Sequence, residues 1–197
     1  FFDRRVTLNV AAYYSDFKGY QVNQVVATRD ADGNTIASQV VTQNAKGAIS
    51  YGLEGELVAN ITPADRIQMS GTLQKTRLKT LLSIDARFDD GANVSAIRDL
   101  KGNELAHAPR FSGTMSYEHD FELANGGRIT PRATVHYETR SYLSFFNGDR
   151  TNRTNAAGQS VYYGSDFDKQ KAYSRTDLAL RYSAPEDRYT LEAFVQN

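Results

Sequence analysis

The most constraining feature of this sequence is an alternation of apolar and polar residues that recurs along its whole length. In the first such segment Val6, Leu8 and Val10 share one face, whereas Thr7 and Asn9 share the other. Because successive side chains of a β-strand point to opposite faces, each segment predicts a strand with one apolar and one polar face. Helical periodicity nowhere persists beyond one or two turns, so we expect an all-β protein.

Seven alternating segments follow one another, and their connections alternate between very short and long. The segments are predicted at about 4–22, 49–61, 67–74, 111–121, 129–140, 177–182 and 189–196. Short turns at 62–66, 122–127 and 183–187 separate long polar loops that end near positions 48, 109 and 172. Pro63 and Pro185 lie in the turns, where a missing N–H does no harm, whereas Pro131 on an apolar face predicts an irregular, weakly paired spot.

This sorting of connections by length is typical of an antiparallel transmembrane β-barrel of the bacterial outer membrane, with short periplasmic turns and long outer loops. The mean hydropathy of -0.54 excludes a bundle of membrane helices, which need about 20 apolar residues each. Barrels escape that test because only every second residue meets lipid. A soluble β-sandwich with one wetted face is the alternative, although its strands usually have about five or six residues.

Composition narrows the classes of function. The 23 basic and 23 acidic residues balance, which argues against a nucleic-acid partner because phosphate binding needs a basic excess. There is no cysteine, so neither disulfides nor thiol chemistry are expected. Twelve Tyr and ten Phe suit the aromatic girdles that anchor a barrel at both membrane surfaces.

No motif predicts a metal site, a cofactor or catalysis. Asp30, Asp32 and Asn34 resemble the start of a calcium-binding loop, but its twelfth position is Val41, where a bidentate Glu is needed. The Asp-Gly-Asn sequence at 32–34 predicts the solvated turn of a hairpin instead. Nothing resembles a nucleophile elbow. The three histidines share no metal-ligand spacing: His107, His119 and His136. We therefore expect a protein that is not an enzyme.

A mixed-sign set of charges is predicted on the polar faces, which would line the lumen of a barrel. Counting back from the turn at Asn125 places Glu118 across from Arg132, close enough to pair. Such charges pair mainly with one another or with lumen water, so they need no ligand to explain them. The set comprises Glu54, Glu56, Glu118, Arg132, Glu138, Arg140, Arg181 and Glu192.

The third long loop combines aromatic and cationic residues and is the better candidate for binding a ligand. Arg can hold an anionic chelate, and Tyr can stack on or hydrogen-bond to an amphipathic molecule. Girdle anchoring and packing between loops would explain some of the aromatic residues equally well. The candidates are Tyr142, Arg150, Arg153, Tyr162 and Tyr163.

Several segments together resemble the C-terminal part of the barrel of TonB-dependent outer-membrane receptors. They are residues 5–20, RVTLNVAAYYSDFKGY; Asn44-Ala45-Lys46-Gly47 followed by SYGLEGE at 50–56; LKGNEL at 100–105 with Ala108-Pro109; and Phe194-Val195-Gln196-Asn197. Each motif is a strand or turn preference, and the specificity lies in their number and order.

The resemblance implies an active transport receptor with a 22-stranded barrel that surrounds a plug and takes energy from the TonB complex. The chain opens without Met and stops within an alternating run, so we expect residues 1–197 to be a partial barrel domain, strands 15 to 21, with the plug, the early strands and the closing strand outside it. The commonest implied cargo is a ferric siderophore. Uptake of cobalamin or saccharide, a passive porin-like or adhesive barrel, and a soluble carbohydrate-binding sandwich remain alternatives.

Overall fold

A computed structural model describes residues 5–32, 35–83, 98–148, 151–154, 160–163 and 168–197. All pairings between its strands are antiparallel, and a single turn of 3-10 helix spans Pro185–Asp187. No helix in these ranges is long and apolar enough to cross a membrane. The strands are β1 (Val6–Lys18), β2 (Gln21–Arg29), β3 (Thr35–Asn44), β4 (Gly47–Asn60), β5 (Asp65–Leu78), β6 (Leu82–Ser83), β7 (Arg98–Asp99), β8 (Phe111–His119), β9 (Phe121–Glu122), β10 (Arg128–Glu138), β11 (Ser141–Tyr142), β12 (Thr151–Thr154), β13 (Ser160–Tyr163), β14 (Lys169–Gln170), β15 (Tyr173–Ser183) and β16 (Thr190–Val195).

One large sheet, here called the wall, contains the seven predicted strands in chain order. Its order is β1-β4-β5-β8-β10-β15-β16, and the short β9 pairs with β10 beyond the end of β8. The predicted all-β class and antiparallel meander are therefore confirmed. The three short turns join the strands at one end of the wall, here called the turn end. The long connections join them at the opposite end, here called the loop end.

The first long connection, predicted as a polar stretch with a hairpin turn, contains two strands that the alternation of residues did not predict. The chain leaves the wall at Gly19, which has a φ of 62°, and β2 and β3 then form a separate hairpin above the loop end. The alternation rule missed them because polar residues such as Gln and Thr occupy both faces of these strands. The predicted turn lies between β2 and β3, where Asp30 accepts a hydrogen bond from the Asp32 N–H, but Asn34 lies outside the described residues.

The apolar face of the wall is open rather than buried. The large hydrophobic side chains named below are 42–65% exposed, whereas such residues are usually buried in a soluble protein. A surface of this kind requires an apolar environment, which lipid provides for a barrel. Its exposed members include Leu8, Val10, Leu53, Leu73, Met115, Val135, Leu178 and Leu180.

The buried core lies at the loop end, not beneath the wall. Val22 and Ala45 from the first connection pack there with Leu78 at the end of β5 and with Leu81 and Leu100 from the second connection. Tyr20, Leu105, Phe145 and Phe146 pack against this cluster. The long connections are therefore joined at their bases by a common hydrophobic core.

The irregular spot predicted at Pro131 is present. Its partner strand is interrupted there, because β10 pairs with β8 from Arg132 onward and with β9 at Arg128 and Ile129. On its other side Pro131 stays in register with Leu180 of β15. The missing N–H of proline thus falls where one ladder is already broken.

Two glycines of β4 have very different surroundings. A Cβ added to Gly52 would lie 2.2 Å from the carbonyl oxygen of Leu73, whereas one added to Gly55 would meet nothing closer than 3.9 Å. Tyr13 and Gln74, which are the partners of Gly52 in the ladders on either side, join their side chains by a 3.3 Å hydrogen bond. Gly52 therefore permits a close approach of β4 and β5 that no larger residue allows.

Candidate functional site

The middle of the polar face forms a shallow concavity of about 500 Å³. Glu54 and Glu56 from β4 lie beside Ser70, Thr72 and Ser112 from the next two strands. Both carboxylates are exposed, and neither has an ion pair with any residue in the described ranges. This part of the wall therefore presents negative charge and hydroxyl groups to whatever fills the interior.

Nearer the turn end, the predicted charged side chains interact with polar or charged side chains of neighbouring strands. Arg132 lies directly opposite Glu118 in the ladder, as counting from the turn predicted. The ion pair of Glu118 is made instead to Arg66, at 3.8 Å, and Arg132 donates a 3.3 Å hydrogen bond to Ser116. Two members of the predicted set, Arg181 and Glu192, form an ion pair with a nitrogen-to-oxygen distance of 3.8 Å.

Nearer the loop end, a hydrogen-bonded chain crosses the polar face. His136 contacts Thr114 through Nδ1 at 2.9 Å and Glu138 through Nε2 at 3.0 Å. The ring of Tyr173 from β15 lies beside the same imidazole, tilted by 50°, with ring centroids 6.3 Å apart. These contacts hold Glu138 within the wall rather than free for a ligand.

Two arginines share one carboxylate at the loop end of the polar face, and this group of Glu104, Arg110 and Arg140 is here called the mouth. Glu104, from the second long connection, contacts both Arg110 and Arg140, the latter at 3.3 Å. The Glu104 side chain is mostly buried, whereas that of Arg110 is 57% exposed. The group has a net positive charge and keeps one guanidinium open to solvent, which suits an anionic ligand.

Asparagine side chains join the second and third long connections. The Asn103 amide donates to the carbonyl oxygens of Phe145 and Phe146 at 3.0 and 3.1 Å. In return, Asn147 accepts from the Glu104 N–H at 2.6 Å and donates to the Glu104 carbonyl at 2.9 Å. Asn147 adopts a φ of 57°, a conformation that Asn tolerates better than most residues. These bonds form a rigid base, here called the loop platform, from residues 100–110 and 141–148.

The third connection is closed at its neck. Ser141 and Tyr142 of β11 pair with β14, and the carboxylate of Asp168 lies between the two sides. Asp168 is only 3% exposed; it accepts from the Ser144 hydroxyl at 2.5 Å and from the Gly148 N–H at 3.1 Å. The second connection has a similar neck, in which β6 pairs with β7.

Tyr142 has a packing role, and its predicted contact with a ligand stays a prediction. Only 7% of its surface is exposed, and its ring lies 4.7 Å beneath the guanidinium of Arg140. Its carbonyl oxygen also accepts from the His107 N–H at 2.8 Å. Tyr142 therefore supports Arg140 and the neck of the third connection.

The other predicted ligand residues remain predictions. Arg153 lies in β12, and Tyr162 and Tyr163 lie in β13, so the backbone carries them on one hairpin. Arg150 lies outside the described residues. The hairpin extends from the neck that Asp168 closes.

A polar cluster at the turn end was missed by the sequence reasoning. Asp65, the first residue of β5 at the turn end, accepts from His119 Nδ1 at 2.7 Å, from the Tyr117 hydroxyl at 2.5 Å and from the Thr62 hydroxyl. These hydrogen bonds, chiefly that from His119, hold the pKa of Asp65 well below its usual range. The cluster fastens a tight turn to the neighbouring strand. No grouping of His, Asp and Glu in the described ranges could hold a metal ion.

Comparisons with known proteins agree with this architecture. A family model described as TonB dependent receptor-like, beta-barrel matches residues 1–197. No curated protein matches the chain. The solved ferric yersiniabactin uptake receptor FyuA from Yersinia pestis superposes with a TM-score of 0.61 at 18% identity, over 98% of this chain and 22% of that one. The chain thus corresponds to about a fifth of that receptor, and at this identity the likeness shows the fold.

Proposed function

Since the chain belongs to the family of TonB-dependent receptor β-barrels, we propose that residues 1–197 form part of the barrel wall of an outer-membrane receptor that binds and imports a scarce nutrient. The family model that spans the whole chain is the observation that carries this proposal. The loop end faces the outside, the turn end faces the periplasm, and the polar face lines the lumen. The plug, the contact with the TonB complex and the remaining strands of a 22-stranded barrel belong to the full-length protein.

The proposed cargo is a ferric siderophore. Two observations support this choice over cobalamin or a saccharide. The structural neighbour is named as an uptake receptor for a ferric siderophore. The mouth of this chain carries Arg110 and Arg140 around a single carboxylate, and a net positive site favours an anionic chelate over a neutral sugar.

In this mechanism, the loop platform holds the cationic mouth at a fixed position. A chelate first meets the exposed guanidinium of Arg110 and the aromatic and cationic residues of the β12–β13 hairpin. It then passes along the polar face of the wall when the plug rearranges. Pre-organisation by the platform lowers the entropy cost of capture, because fewer side chains have to be ordered on binding.

Transport is tested with the full-length gene. A deletion strain is complemented with it and given ⁵⁵Fe-labelled siderophores, labelled cobalamin or labelled maltodextrin, with TonB present or deleted. We expect TonB-dependent accumulation of iron from at least one siderophore. Accumulation of cobalamin or sugar instead would replace the cargo, and uptake that ignores TonB would identify a passive porin-like barrel. Adhesion without any uptake would also refute the proposal.

The role of the mouth is tested with Arg110→Ala in the full-length receptor. A hydrogen bond to a charged group contributes about 1.5 to 3 kcal/mol, so the dissociation constant for the ferric siderophore should rise roughly tenfold to a hundredfold. Arg188→Ala is the matched control, because Arg188 is an exposed arginine at the turn end that, like Arg110, pairs with a glutamate. Equal binding by the two variants would exclude the mouth as the chelate contact and leave the transport proposal to the uptake assay.

A further inference from the structure

A row of basic residues continues the apolar face of β5 beyond the membrane-facing part. Along this strand Ile67, Met69 and Leu73 face the apolar side. The next residues of the same parity are Lys75 and Arg77, and Lys79 follows directly after the strand. Lys75 and Arg77 are exposed, so their charges lie outside the barrel wall and not in the lumen.

This row begins at the aromatic boundary of the apolar face. Tyr51, which lies opposite Lys75 in the ladder, stacks on Tyr14 with ring centroids 6.3 Å apart. On the neighbouring strands Phe111 and Tyr137 lie 6.2 Å apart on the same face. Aromatic girdles mark the depth of the lipid headgroups in barrel membrane proteins. Lys75 and Arg77 therefore lie at the height of the headgroups, just beyond the apolar chains.

Among the residues that the structure describes, the patch has little compensating negative charge. Asp16 is its acidic neighbour and pairs with Lys79, with a nitrogen-to-oxygen distance of 2.6 Å. Neither Lys75 nor Arg77 forms an ion pair with any residue in the described ranges, and Lys18 adds a further exposed cation beside Gly47. Since the whole chain has a formal charge of zero, this local excess is not a reflection of composition.

The other side of the same strand end is firmly packed. Thr76 and Leu78 alternate with the basic residues and are buried, Leu78 within the core of the loop end. The Thr76 hydroxyl also accepts from the Leu105 N–H at 3.1 Å. The cations thus project from a rigid backbone, about 7 Å apart at successive outward positions.

From this arrangement we infer that the outer rim of β5 binds the phosphate groups of lipids in the outer leaflet. The partner is the phosphorylated glycolipid of that leaflet, lipopolysaccharide, whose anionic groups lie at the depth where Lys75 and Arg77 are exposed. Arg77 offers a bidentate contact to a phosphate, and the lysines add point charges on either side. The inference rests on the outer-membrane orientation given in the proposed function, but not on the cargo.

The test uses the full-length receptor in detergent and purified lipopolysaccharide, either with or without its lipid A phosphates. Native mass spectrometry and a fluorescence titration measure the bound lipid. The triple variant Lys75→Gln, Arg77→Gln, Lys79→Gln should raise the dissociation constant for the phosphorylated lipid at least tenfold. The dephosphorylated lipid should bind the wild-type protein no better than it binds this variant.

A matched control removes three exposed charges elsewhere, with Lys101→Gln, Lys171→Gln and Arg188→Gln, and should change binding less than twofold. Heat-modifiable gel mobility reports folding, and if the triple variant does not fold, Arg77→Gln alone should still weaken binding about threefold. Equal binding by triple and control variants, or by the two lipids, would overturn the inference. Competition by millimolar inorganic phosphate would also overturn it in favour of a free-anion site.

The same variants separate this inference from the proposed function. TonB-dependent uptake per folded receptor should be unchanged in the triple variant, because its substitutions face away from the lumen. If the variant still binds the lipid normally while uptake persists, only the lipid site is refuted. If the wild-type protein binds the lipid but shows no TonB-dependent uptake, only the transport function is refuted.

Discussion

Replacing Gly52 with alanine should weaken the wall by an amount that its geometry sets. The added Cβ would lie 2.2 Å from the Leu73 carbonyl oxygen, whereas real Cβ atoms essentially never lie closer than 3.0 Å to such an atom. The obstacle is backbone, so no side-chain rotation relieves it, and β4 and β5 must separate by close to an ångström. Separation of this size also stretches the ladder hydrogen bonds around the Gly52–Gln74 pair.

The expected loss combines two effects. Overpacking typically costs about 1 to 3 kcal/mol, and each weakened hydrogen bond adds about 0.5 to 1.5 kcal/mol. Alanine recovers about 0.4 to 1 kcal/mol by restricting the unfolded chain. Gly52→Ala should therefore lower the free energy of unfolding by about 2 to 4 kcal/mol.

Gly55→Ala is the control, because it makes the same chemical change three residues along the same strand without a close contact. It should leave the free energy of unfolding unchanged or raise it by up to about 1 kcal/mol. The assay is urea unfolding of the full-length protein in phospholipid vesicles, with the folded fraction read from heat-modifiable gel mobility. Free energies of unfolding within about 0.5 kcal/mol of each other for the two variants would refute the steric argument.

Two further predictions concern the ends of the wall. Asp168→Ala leaves the Ser144 hydroxyl and the Gly148 N–H without their acceptor, at about 1 to 3 kcal/mol for each buried group; hydrogen exchange of residues 141–148 should accelerate while that of the wall strands does not, and unchanged exchange would contradict the proposed neck. Because the pKa of Asp65 is lower in the folded protein, its stabilising effect is complete above about pH 4 to 5 and is lost as the pH falls further. Acid unfolding curves of wild type and Asp65→Asn should therefore converge at low pH and separate near neutrality, and a constant separation would contradict this.

The wall could be predicted from the sequence because one face of each strand is forced to be apolar. Slipping a strand by one residue exchanges its faces, so the alternation also fixes the register. This is why counting from the turn at Asn125 correctly placed Glu118 opposite Arg132. The choice of ion partner was not predictable, because Arg66 reaches Glu118 from the strand on its other side.

The loop platform could not be predicted, because its bonds join residues far apart in sequence without local signals. Asn147 and Glu104 are 43 residues apart, and nothing around either residue indicates the other. The amino-acid composition of a loop also does not indicate which of its tyrosines are buried and which are exposed. The sequence therefore does not reveal that Tyr142 packs beneath Arg140 in the neck.

The closed necks of the second and third connections determine where such a protein tolerates insertions and deletions. In these necks Leu82 pairs with Asp99, and Ser141 pairs with Gln170. Because the pairs close each connection near the wall, the number of residues beyond them does not affect the strand register of the wall. Doubling the length of a flexible loop costs only about 0.6 kcal/mol in closure entropy. By contrast, one residue inserted in the turn at 61–64 would shift the register of the next strand, so that its apolar side chains would lie on the polar face of the wall. Insertions, deletions and exchange of whole loops between relatives are therefore tolerated at one rim of the barrel and forbidden at the other.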